Sequence, residues 1–101
     1  METCEIWYSE QAEKDLQNVY EYIAFEILSP NTAVKYFNDL LDTIDTLKTT
    51  GKLFAYSQND FLIFTYGADV RTINFKKMTI VYKVIGSYVI ILRVMAGSLI
   101  K

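Results

Sequence analysis

Apolar side chains recur along this chain with two different periods, and the change from one to the other divides it. The first half is helical in spacing: Ala12, Leu16, Val19, Tyr20, Ile23 and Ile27 fall three or four residues apart. Ser9 stands before them as an N-cap, and Glu10 and Glu13 lie in the first turn, where they complement the helix dipole. Ser29-Pro30 ends this helix and opens another, because proline disfavours helical geometry in the residue before it yet suits the first helical position. The same spacing then carries Ala33, Phe37, Leu40, Leu41, Ile44 and Leu47 to Gly51, placed as a C-terminal glycine stop with Lys48 in the last turn. So short a link predicts an antiparallel helical hairpin whose two stripes need a common surface.

The second half supplies that surface. Val70 to Met95 is dense in β-branched and aromatic residues and reads as three antiparallel strands. Val70 to Phe75 alternates, with Arg71, Ile73 and Phe75 on one face; Lys76, Lys77 and Met78 form a turn; Thr79 to Ile85 and Tyr88 to Met95 flank Gly86-Ser87, which suits a type II′ hairpin. Glu5 to Tyr8 is a further strand. Lys52 to Asp69 mixes aromatics with turn formers and is expected to be a loop with one extended piece at Phe61 to Thr65. The predicted fold is α+β, in the order β-α-α-β-β-β: an N-terminal strand and an antiparallel helical hairpin packed on a twisted antiparallel sheet. Residues 1–101 make one domain, long enough to bury about 65% of the surface of the unfolded chain.

Composition removes several kinds of chemistry. The absence of histidine excludes Ser-His-Asp and Cys-His mechanisms and His-ligated zinc, and leaves Arg, Lys, Tyr, Glu and Asp for any catalysis. Cys4 has no partner cysteine and fits a reducing, cytoplasmic setting. No basic-then-apolar leader or membrane-length apolar run is seen, so neither a signal peptide nor a membrane contact is expected. No nucleotide-binding or metal motif occurs, and Asp39, Asp42 and Asp45 fall on a solvated helix face, so no metal or cofactor is expected. Net charge is only −2, but residues 1–51 carry −7 and residues 52–101 carry +5, so the strand half is the basic half. This asymmetry fits an acidic partner on the sheet, although amphipathic helices also place acids on their wet face.

Four short patterns resemble the RelE/ParE superfamily of toxins from type II toxin-antitoxin systems. They are Tyr8-Ser9 followed by Ala12, Asp15 and Leu16; the Ala33 and Leu47 ends of the second helix; Val70-Arg71 eleven residues before Tyr82 in IVYKV; and IILRVMAG from Ile90 to Gly97. The ILRV ending is more similar to the ParE branch than to the RelE branch. The resemblance implies a toxin held by a cognate antitoxin in a hetero-oligomer. ParE-like members poison DNA gyrase, whereas RelE-like members cut mRNA on the ribosome. Family members commonly follow the ILRV-like strand with a His-Gly-Arg-Arg-like basic run; here the matching positions read Ala96, Gly97, Ser98 and Leu99.

Three functions follow as alternatives: a gyrase poison without chemistry of its own, a ribosome-dependent endoribonuclease, or a degenerate member that only binds an antitoxin-like partner. A nuclease needs a proton acceptor, cations for the phosphate and an acid for the leaving oxygen, and Arg71, Lys76, Lys77 and Tyr82 are the candidates. For binding a target the candidates are Arg71, Lys76, Lys77, Arg93 and Ser98; for binding the antitoxin they are the exposed aromatics Tyr22, Phe25 and Tyr36. The low pI and missing basic run favour gyrase over the ribosome. Each candidate also has a structural reading: Arg71 laying its stem over apolar neighbours, Arg93 pairing with an acid of the hairpin, Tyr82 in the core, and both lysines simply solvated.

Overall fold

A computed structural model describes residues 3–27 and 29–99. The elements are β1 (Glu5–Tyr8), α1 (Glu10–Ile27), α2 (Pro30–Asp45), α3 (Leu47–Thr50), α4 (Asp60–Tyr66), β2 (Arg71–Phe75), β3 (Met78–Ile85) and β4 (Tyr88–Ala96). The four strands form one sheet in the order β1-β4-β3-β2, antiparallel except that β1 runs parallel to β4. A parallel pair needs a crossover, and the helical hairpin provides it, so β1 begins the layer that covers the sheet.

Both helices bury the stripes expected of them. Ala12, Leu16, Val19 and Ile23 of α1 and Ala33, Leu40 and Ile44 of α2 join Leu47, Ile80, Tyr82, Val89, Ile91 and Val94 in the main core. Tyr20 is partly outside it, edge-on to Phe37 with ring centroids 5.4 Å apart; the side chain of Ile27 lies outside the described region. Ser9 caps α1 by accepting from the Ala12 N–H at 3.0 Å, and its hydroxyl also donates to the Leu92 carbonyl at 2.9 Å, which ties the helix start to β4. Ser29 caps α2 in the same way through the Thr32 N–H. In the β3–β4 turn Gly86 has φ +58° while Ser87 has no positive φ, the combination a type II′ hairpin requires.

Two expectations are corrected. Phe61 to Thr65 is helical, within α4, despite its strand-forming composition. Asn59 caps it through the Leu62 N–H at 3.0 Å, Asp60 lies in its first turn, and Gly67 ends it with φ +110°. Leu62 then fixes α4 on the outer sheet face against Val70 and Val81, a second small core. Caps and one buried anchor outweigh local β propensity here. Gly51, in turn, is not a left-handed stop: its φ is −55° and the chain continues into a short 3-10 turn, Gly51–Leu53. The backbone runs close against the sheet there, so that an added Cβ would sit a tight 3.2 Å from Val89 Cγ2. Its carbonyl accepts the Tyr82 hydroxyl at 2.7 Å.

That last contact predicts a pH dependence. Burial pushes the Tyr82 phenol up from 10.0 to about 12, opposed by the nearby charge of Arg71. A group that holds its proton more tightly when folded contributes stability that is present below pH 10 and is lost as pH rises toward 12. We expect roughly 2 kcal/mol to disappear across that window. Urea unfolding followed at several alkaline pH values should show the loss, and Tyr82→Phe, which has no proton to release, should flatten the contribution while weakening the protein at neutral pH.

Candidate functional site

β1 pairs with β4 only as far as Ile91, so the outer edge of β4 from Leu92 onward has no strand beside it among the described residues. α1 borders this edge instead. Between them runs an open groove of about 1120 Å³, with Val19 and Ile23 on one wall, Val94, Met95 and Ala96 on the other, and the β2–β3 turn at one end.

A bulge in β4 shapes the groove. Tyr82 faces Ile91 but Val81 faces Arg93, which leaves Leu92 as the extra residue. Ile91 and Val94 can therefore both enter the main core, while Arg93 is turned so that its guanidinium reaches α1. There Asp15, whose side chain is 8% exposed, accepts from Arg93 Nε at 2.7 Å and Nη2 at 3.2 Å, and from the Val94 N–H at 3.0 Å. The Asp15 hydrogen bond is the chief reason the Arg93 guanidinium titrates above its ordinary value, with a contribution from Tyr66 of α4. Arg93 thus pairs with an acid of the hairpin.

Backbone polarity adds to the site. The Gly97 N–H donates to the Lys77 carbonyl at 2.9 Å, so by the alternation of an antiparallel ladder Val94 and Ala96 direct their amides and carbonyls away from β3. Asp15 takes the Val94 N–H. The Val94 carbonyl and both backbone groups of Ala96 are directed to the outer side of β4, where no strand pairs with them among the described residues, the kind of edge that an extended chain can join.

Six of the residues singled out by sequence come together here: Tyr22, Tyr36, Lys76, Lys77, Arg93 and Ser98 all line the groove. Tyr36 packs edge-on to Phe75 at 5.2 Å, and Lys76 Nζ lies 4.9 Å from the Tyr36 ring centroid and 5.4 Å from that of Phe75. Burial raises the Tyr36 phenol above its ordinary value. Lys76 has φ +53°, a left-handed conformation held in the two-residue turn. Sequence reasoning missed Asp15 as a structural partner of Arg93, as well as Val94 and Ala96, whose backbone rather than side chains forms the edge.

Phe25 is 77% exposed and does not line the groove. Arg71 and Tyr82 are also elsewhere. Arg71 donates through Nη1 to the Lys52 carbonyl at 3.5 Å and to the Phe54 carbonyl, and its guanidinium lies 4.3 Å from the Tyr56 ring centroid, while its buried Nε has no partner among the described residues. It clamps the segment after Gly51 to β2. Tyr82 is fully buried with its hydroxyl committed to Gly51. Among the described residues no cluster of acids, cysteine or histidine is suited to a metal ion, and no helix is long and apolar enough to cross a membrane.

A small α+β domain with an N-terminal strand, a helical hairpin and a three-strand antiparallel meander has the RelE/ParE-like fold. Residues 6–99 match the family model described as the ParE toxin of the type II toxin-antitoxin system, parDE, and the chain belongs to that family. Among solved structures it is similar to the chromosomal ParDE toxin-antitoxin system from P. aeruginosa, at 20% identity and a TM-score of 0.76, over 95% of this chain and 98% of that one. It is also similar to the RelBE2 toxin-antitoxin complex from Mycobacterium tuberculosis, at 12% identity and a TM-score of 0.61, over 93% and 98% of the two chains. No curated protein sequence matches it.

Proposed function

We propose that this ParE-family toxin arrests growth by binding DNA gyrase as a protein-binding poison, and that a cognate antitoxin neutralises it by occupying the groove. The observation that carries the first part is the dispersal of the nuclease candidates. Lys76 and Lys77 lie at the groove mouth, whereas Arg71 is clamped to the backbone of Lys52 and Phe54 and Tyr82 is buried with its proton held on Gly51. Proton transfer in RNA cleavage requires an acid and a base within hydrogen-bond reach of the same phosphate, and here Arg71 and Tyr82, the candidates for holding that phosphate and moving its proton, are both held away from the lysines.

The antitoxin reading rests on the groove itself. Its apolar walls suit apolar side chains, the Val94–Ala96 edge suits an extended backbone, and Lys76 and Lys77 suit carboxylates. The ParDE and RelBE2 relatives are themselves toxin-antitoxin systems or complexes. Because Lys76, Lys77, Arg93 and Ser98 of the target-contact candidates share the groove with Tyr22 and Tyr36 of the antitoxin-contact candidates, an antitoxin seated there would exclude the target by occupancy.

Pulse labelling of DNA and protein synthesis after induction without antitoxin tests the target. DNA synthesis is expected to fall first, and purified toxin should trap cleaved DNA only when gyrase is present. Earlier loss of protein synthesis, with mRNA cut in a translation reaction, would replace this reading with the ribosome-dependent nuclease; no effect on either would leave a chain that only binds an antitoxin.

A further inference from the structure

The sheet face turned away from α1 and α2 is only half covered. α4 lies over Val70 and Val81, and Leu92 packs at its margin. Beyond it the strand register sets six outward side chains of β1, β4 and β3 in two adjacent rows, Glu5, Tyr88 and Ile85, then Trp7, Ile90 and Lys83, of which Ile90 and Lys83 are partly covered and the other four exposed. The Trp7 and Tyr88 rings pack at a 56° tilt with centroids 4.7 Å apart, yet remain 51% and 39% exposed, and Ile85 is 57% exposed. The apolar part of this patch is on the order of 400 Å², the size of the largest apolar patch on an ordinary monomer, which is often functional.

Its charges choose the occupant. Glu5 and Lys83 stand at diagonally opposite corners of the patch. Glu5 has no ion-pair partner among the described residues, and Lys83 holds Asp69 at 3.1 Å. We propose that two copies of the chain associate through this face about a two-fold axis lying in the interface. An axis perpendicular to the Glu5–Lys83 diagonal places Glu5 of each copy on Lys83 of the other, and lays the Trp7–Tyr88 pair over the apolar remainder of the patch. The other faces repel their own copies, since the helical layer is acidic and the β2–β3 turn carries Lys76 and Lys77. A nucleic acid would need several cations, and the patch has one; that one can bridge, since an ammonium has three donors and Asp69 takes only one of them.

No residue of the patch lines the groove, so association leaves the antitoxin site open. The contact is smaller than the roughly 800 Å² per partner of a standard interface, which places the dimer in the weak, transient class. The inference is independent of which target the toxin has.

Sedimentation equilibrium of the purified chain, from low micromolar to several hundred micromolar, tests it. The mass should rise from 11.7 kDa toward twice that value. Ile85→Lys or Glu5→Lys, each checked by circular dichroism for an unchanged fold, should raise the dissociation constant at least about tenfold. In an Asp69→Asn background, which frees Lys83, the Glu5→Lys and Lys83→Glu double charge swap should restore association lost in Glu5→Lys alone. A mass of 11.7 kDa at every concentration, a dimer indifferent to Ile85→Lys, or no recovery in the charge swap would each overturn the proposal.

Discussion

Replacing Asp15 by alanine should destabilise the protein by about 3 kcal/mol, the low end for breaking a buried ion pair from one side. The carboxylate serves four donors: Arg93 Nε, Arg93 Nη2, the Val94 N–H and, at 3.4 Å, Gln11 Nε2. Alanine leaves all four without this acceptor. The guanidinium is partly exposed, its side chain at 30%, and recovers some hydration, whereas the Val94 N–H sits at a buried position and cannot. An orphaned buried donor costs about 1–3 kcal/mol by itself. Domains of this size have stabilities of about 5–15 kcal/mol, so the variant should lose a large share of its margin. Urea denaturation should show a lower midpoint with an unchanged slope. Asp15→Asn, which keeps one acceptor oxygen, should lose less. The Asp15→Leu/Arg93→Met pair should also lose less than Asp15→Ala, because no charge is left unpaired; if it lost as much, packing rather than ionic satisfaction would explain the site.

The contrast between Asp15 and the helical stripes marks where sequence reasoning reached and where it stopped. Periodicity is local, so Ala12 to Ile23 and Ala33 to Leu47 announced their buried faces, and Ser9, Ser29 and Gly86 announced the boundaries. The strand alternation was equally local. It placed Ile73 and Phe75 on one face, and both pack against the main core. α4 was misread because its composition, Asp-Phe-Leu-Ile-Phe-Thr-Tyr, favours strands, while the features that make it a helix are two caps and an anchor on a sheet formed later in the chain. Gly51 was misread for a similar reason: a stop and a close approach to the sheet look alike until the sheet is placed over it.

The groove was the least legible part. Its residues run from Asp15 to Ser98, and they meet only because β1 runs parallel to β4 and stops at its middle. The bulge that turns Arg93 toward α1 follows from packing on both sides of β4, so an arginine could be given an acidic partner from the sequence but not that particular one. Arg71 illustrates the same limit. The sequence left it between a functional and a structural role, and its contacts, Nη1 to the Lys52 and Phe54 carbonyls and the guanidinium over the Tyr56 ring, come from a segment whose path the sequence did not show.

Tyr36→Ala and the Lys76→Glu/Lys77→Glu pair should weaken the antitoxin complex in distinguishable ways, and surface plasmon resonance can separate them. Tyr36 is half-buried at the groove, held against Phe75 and under Lys76, so it is an aromatic anchor already fixed in one orientation. Losing such an anchor costs about 2 kcal/mol or more, which is about thirtyfold in affinity, and appears in the dissociation rate. The lysines are exposed at the rim. Reversing their charge should instead slow association, by an amount that shrinks as salt is raised, because rim charges steer encounters more than they hold the complex. Phe25→Ala should change neither rate, since Phe25 stands off the groove. If it mattered as much as Tyr36, the antitoxin would have to run along the outer side of α1 rather than along the β4 edge. The charge variant also bears on the target: a shared rim requires Lys76→Glu/Lys77→Glu to lose growth arrest along with antitoxin affinity, whereas loss of antitoxin binding with full toxicity would separate the two surfaces.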